Sequence, residues 1–116
     1  MREVLVSDEC LEFIEKCSDR VQAKFDYLLA VISEQEIVSK NFVDKLVKSE
    51  YYELRIKAEN QIRVIVFSID NSNFNQSKKV ILLNAFLKRN NKDYVKAIKK
   101  ADKLIKKYKS EFWWKN

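Results

Sequence analysis

Glu53, Arg55 and Lys57 alternate with Tyr52, Leu54 and Ile56. A period of two puts the three charges on one face of a strand, about 6.6 Å apart in succession. Arg63 is the only charge between Gln61 and Ile69, and a short turn holds it close to that set. A third, apolar run ends in Lys88 and Arg89. Polar residues inside otherwise apolar strands are informative, because apolar neighbours imply burial and burial of a charge needs a reason. Several cations and one carboxylate gathered at one end of a small sheet suit a reaction that builds negative charge. Lys57, near the turn, reads rather as an ordinary exposed charge.

The composition narrows the chemistry further. The chain has no histidine, which removes histidine triads, histidine acid–base pairs and histidine-ligated metals. It has no glycine, so it carries neither a phosphate loop nor a dinucleotide fingerprint. Two thiols are too few for a classical zinc site, and neither a metal nor another cofactor is expected. Phosphodiester chemistry run by lysine and arginine survives these exclusions. The net charge of +6 favours anionic partners, nucleic acid or an acidic protein segment. The excess is concentrated from Lys78 onward, where lysines are frequent and the acids are Asp93, Asp102 and Glu111. Cys10 and Cys17, seven apart on a predicted helix face, are too distant for a disulfide and read as small hydrophobes in a reducing compartment. No segment is apolar enough to span a bilayer, and Asp8, Glu9 and Glu12 fall where a signal peptide would be apolar. The expected location is cytoplasmic, with no membrane partner.

The elements that must position these charges follow from periodicity. The length of 116 residues suits a single domain, 1–116. Residues 1–6 alternate as a short strand. Ser7 can cap a first helix bearing Leu11, Ile14 and Cys17, and Ser18 or Asp19 a second bearing Val21, Phe25, Leu28, Leu29 and Ile32. Phe42, Val43, Leu46 and Val47 suggest one more short helical turn. Strands follow at 51–58, 62–69 and 80–87, with Asn60 expected to take a positive φ in the first turn and 70–77 a loop. The strand 80–87 is apolar on both faces and therefore central. From Asn91 the spacing of Tyr94, Ile98, Ala101, Leu104, Ile105 and Tyr108 is helical. The order β-α-α-β-β-β-α defines an α+β class. A small antiparallel sheet carries a helical hairpin on one face and a C-terminal helix, and the first strand joins at an edge. Phe112, Trp113 and Trp114 would dock the last helix, form an association patch or stack on RNA.

The stretches YYELRIKAENQIRVIVF and VILLNAFLKRNNKDYVKAIKKADKLIKKY resemble the RelE/ParE superfamily of toxin–antitoxin toxins, and within it the HigB-like, phage-related branch. The resemblance spans Lys45 to Tyr108. It implies the RelE-like fold and a ribosome-dependent endoribonuclease that cleaves mRNA without a metal. It also implies a cognate antitoxin, of helix-turn-helix type and encoded in the adjacent gene. By this resemblance Arg55 and Arg63 face the scissile phosphate, and Lys88 and Arg89 match a basic pair after the last strand. Tyr94 falls beside a base-stacking tyrosine. The catalytic set is then Glu53, Arg55, Arg63 and Lys88, with Lys57, Arg89 and Tyr94 binding RNA. A 2′-OH would attack the adjacent phosphate, and the base would be Glu53 or a lysine whose pKa its cationic neighbours depress. The chain departs from the branch at Asn84-Ala85, where His-Gly is usual, and at Tyr94, where proline is usual. A gyrase-inhibiting ParE-like toxin, or a RelE-fold module that has lost catalysis, would share most of the pattern.

Overall fold

The computed structural model describes residues 1–113, with side chains to Glu111. The expectations for the side chains of Phe112, Trp113 and Trp114 therefore lie outside the described residues. Five strands, β1 (Glu3–Val6), β2 (Val43–Lys45), β3 (Tyr52–Lys57), β4 (Gln61–Ser68) and β5 (Lys79–Leu87), form one sheet in the order β1-β5-β4-β3-β2. β1 pairs parallel with β5, and every other pair is antiparallel. The expected α+β architecture is present, with β1 at an edge and β5 interior. Helices α1 (Asp8–Glu15) and α2 (Asp19–Glu34) cover one face, and α3 (Asn91–Tyr108) covers the other.

Local chemistry sets the helix ends. Ser7 and Ser18 accept from the backbone N–H groups of Cys10 and Val21, and Asn90 forms a capping box with Asp93. Alternation along the strands then divides the core. Leu54, Ile56, Val64, Val66, Val80 and Leu82 pack on the α1–α2 hairpin, while Ile65, Ile81 and Leu83 pack under Ala97, Ala101 and Ile105 of α3. A bulge where Ile65/Val66 face β5 lets the two registers meet. Arg2 is buried at the start of β1. Its guanidinium donates to carbonyls of Gln35 and Glu36 after α2, and to those of Phe74, Asn75 and Ser77 before β5.

Three expectations are corrected. The segment with Phe42, Val43, Leu46 and Val47 is an edge strand, not a helical turn, because three residues can satisfy their backbone groups against β3. Asn60 does not take a positive φ; the one non-glycine residue that does, among those described, is Lys48 at φ 60°. Cys17 lies past the end of α1, in the α1–α2 connection, so the two cysteines do not share a helix face. Both thiols are free, and burial pushes the Cys10 thiol up to about 12.

A candidate active site between the sheet and the last helix

β3 and β4 are in a register that sets Arg55 directly opposite Arg63, with Glu53 two residues along on the same face. Like charges opposed across strands repel. Here Glu53 resolves the conflict: its Oε1 lies 3.1 Å from Arg55 Nε and 3.1 Å from Arg63 Nε, and accepts a hydrogen bond from the Tyr94 hydroxyl at 3.1 Å. The Arg63 contact is an ion pair whose angle falls short of a hydrogen bond. Glu53 and Arg63 are 5% and 4% exposed, so this carboxylate and guanidinium are almost wholly removed from water. Arg63 is also held through Nη1, which donates to the Ile62 carbonyl, and Nη2, which donates to Gln61 Oε1.

Arg55 is different. Its side chain is 29% exposed, and its Nη2 reaches Asp44 Oδ2 at 3.4 Å. Asp44 stands opposite Glu53 because β2 pairs with β3. Arg55 therefore spans two carboxylates and lines an open groove of about 510 Å³ between the β2–β3 turn and α3. Tyr94 lines the same groove from the α3 side. Its ring meets Phe86 edge-on, with centroids 5.3 Å apart, and Lys88 Nζ lies 5.8 Å from its centroid. Burial and the adjacent Glu53 carboxylate push the Tyr94 phenol up, so it remains a donor.

Of the residues expected at the site, Glu53, Arg55, Arg63, Lys88 and Tyr94 come together. Lys57 and Arg89 do not join them. Lys57 is exposed at the far end of β3 opposite Gln61, and Arg89 is exposed where its backbone N–H donates to Asp93 before α3. Asp44 falls outside the helical reading of its segment, and the three residues of β2, Val43 to Lys45, carry too little alternation to place it. Arg63 does not behave as a solvent-facing sheet residue. The strand around it is buried on both faces, and α3 closes over its side. Asn84 is buried beneath α3, where its Nδ2 donates to the Ala97 carbonyl at 3.1 Å, outside the charge cluster. Among the described residues no group of His, Cys, Asp and Glu is arranged to hold a metal ion, and no helix is long and apolar enough to cross a membrane.

A mainly antiparallel sheet between a helical hairpin and a last helix, with basic residues gathered at one sheet end, defines the RelE-type fold. Solved structures agree. The intact E. coli RelBE toxin–antitoxin complex contains a chain 14% identical, matched over 78% of this chain and 100% of that one, with a TM-score of 0.57. A free E. coli RelE toxin carrying two arginine-to-alanine changes is 14% identical over 84% and 95%, with a TM-score of 0.60. The isolated E. coli RelE toxin is 15% identical over 85% and 97%, with a TM-score of 0.58. The family described as Phage derived protein Gp49-like (DUF891) matches residues 12–106, and the chain belongs to that family. No curated protein sequence matches it.

Proposed function

We propose that this chain is a single-domain toxin of a toxin–antitoxin pair, acting in the cytoplasm as a metal-independent endoribonuclease on mRNA held by the ribosome. The observation that carries the reading is Arg55. It is a partly exposed guanidinium fixed on a strand, opening on a groove it shares with Tyr94, whose ring lies near Lys88, in a chain with the fold of the E. coli RelE toxin. The 2′-OH gives its proton to solvent and attacks the adjacent phosphate, charge accumulates on the phosphorane oxygens, and the P–O5′ bond breaks; the 5′-oxygen takes a proton from solvent and a 2′,3′-cyclic phosphate remains. Arg55 offers a planar fork to those oxygens, and Lys88 adds a second cation. Arg63, with all three nitrogens engaged, positions Glu53 and through it Arg55. Tyr94 keeps the ring and hydroxyl that border the bound strand. The partner that silences the toxin is an antitoxin, since the chain resembles a chain of the RelBE toxin–antitoxin complex; that it is of helix-turn-helix type and comes from the adjacent gene rests on the sequence resemblance alone.

One observation favours a second reading. Both arginines are neutralised by Glu53 and Asp44, as in a surface built for binding rather than catalysis. A gyrase-directed toxin or a module that has lost activity would fit that arrangement. Inducing the chain alone and mapping transcript ends separates the readings. New 5′ ends within translated messages support the nuclease, whereas intact transcripts with a DNA-damage response support the gyrase reading.

A further inference from the structure

The groove does not end at Arg55. Its floor follows the α3-facing positions of β3 and the residue before it, Arg55, Glu53 and Tyr51, about 13 Å at 3.3 Å per residue. That exceeds the 3.4 Å rise of one stacked nucleotide, so a strand lying on Arg55 continues along it. Tyr94, Ile98 and Asp102 form one bank. The β2–β3 turn forms the other, with Val47 beside Arg55's end and Lys48 beyond it; Ile98 lines both stretches.

Two observations single out Lys48. Its φ of 60° is the left-handed region, which costs a lysine energy that glycine would not incur and asparagine would incur less. Strain of this kind collects at ligand clamps. The second observation is charge. The nearby acids all have partners: Asp44 pairs with Arg55, Glu53 with both arginines, and Asp102, itself exposed, accepts from the Tyr51 hydroxyl at 2.6 Å. Glu50, exposed on the same turn, also acts on the Tyr51 phenol. Lys45 closes the turn by donating to the Leu46 and Ser49 carbonyls. Lys48 is exposed and makes no ion pair among the described residues, next to Val47, which is 83% exposed.

We infer that Lys48 is a second phosphate contact, reaching the RNA backbone at a nucleotide beyond the one held at Arg55, and that the left-handed turn serves to hold it over the groove. The inference rests on the RNA-cleaving reading. The probe is a single-stranded, fully 2′-O-methylated oligoribonucleotide, which lacks the attacking hydroxyl. Its affinity for the whole chain is followed by fluorescence anisotropy across a salt series. Lys48→Gly keeps the backbone conformation and removes the cation, so it should melt no lower than wild type. It should bind several-fold more weakly at low salt, with the slope of log affinity against log salt smaller by about 0.7, the value for one phosphate on a single strand. Lys48→Arg should bind as wild type. If Lys48→Gly binds as wild type with an unchanged slope while Arg55→Ala binds weakly, the Lys48 inference is wrong and the RNA reading stands. If Arg55→Ala also binds as wild type, the RNA reading itself falls.

Discussion

Arg55 and Arg63 face each other across paired strands, yet their surroundings give them different work. Arg55 keeps part of its fork in water, so its replacement by alanine should leave the fold intact. Cleavage should fall by roughly two to three powers of ten, as for other preorganised electrostatic groups. Single-turnover cleavage on saturating ribosomes is the measurement, and a wild-type rate would remove Arg55 from the site. Arg63→Ala is expected to act first on stability. It strands the buried Glu53 carboxylate beside one fewer cation, a change that costs about 3–5 kcal/mol in comparable buried pairs. Urea unfolding of Arg63→Ala beside Arg55→Ala reads the difference directly, and equal midpoints would contradict it. The sequence disclosed both residues, because a lone charge in an apolar run is conspicuous. It did not disclose their division of labour, since burial of Arg63 depends on α3 closing over a face that alternation alone leaves open.

α3 is fastened to the rest of the molecule by phenol–carboxylate hydrogen bonds along its length. Tyr94 donates to Glu53 near its start, Tyr51 donates to Asp102 in its middle and Tyr108 donates to Glu9 of α1 at its end. Burial, then the neighbouring carboxylate, raises all three phenols, Tyr108 to about 12. A group whose folded pKa is raised adds stability that is complete below its unfolded value, about 10 for tyrosine, and is lost as pH climbs through the folded one. Stability should therefore hold to about pH 10 and decline steeply toward pH 12. Tyr108→Phe should lose part of that decline in thermal melts taken along an alkaline series, and an identical decline in the variant would refute the assignment. The helix itself is plain in its 3.6-residue stripe, and the caps of α1 and α2 are plain in Ser7 and Ser18. β2 is not, because three residues carry too little periodicity to distinguish a strand from a turn, and with it Asp44 escapes notice.

Across the whole molecule the charge of +6 is distributed so that the acids of α3 are held by partners, Asp102 by the Tyr51 hydroxyl and Asp93 in the N-terminal cap, while its lysines face solvent. A proposed antitoxin that covers this surface should be acidic where it touches, and its association should be fast and sensitive to salt. Stopped-flow association at rising ionic strength should show a falling on-rate and a less affected off-rate. An on-rate indifferent to salt would mean that apolar contacts, not charge, bring the partners together. The sequence foretold the sign of this surface and the α+β class. The parallel pairing of β1 was beyond it, since nothing local to 3–6 specifies which distant edge that strand will join.

That parallel pairing bears on how the chain is made. β1 is synthesised first, yet Val4 and Val6 find their partners only at Val80 and Leu82. The carbonyls that surround Arg2 likewise come in part from Phe74, Asn75 and Ser77. β5 lies between β1 and β4, so until it exists the first strand has no neighbour in the sheet and the α1–α2 hairpin has only part of its floor. Loop closure over such a separation slows folding and leaves apolar surface uncovered meanwhile. Nascent chains that stop before Lys79 should therefore be digested readily by protease, whereas chains carried past Leu87 should resist it before α3 is added. The order of synthesis thus keeps Arg55 and Arg63 from assembling on a finished sheet until β5 has been made.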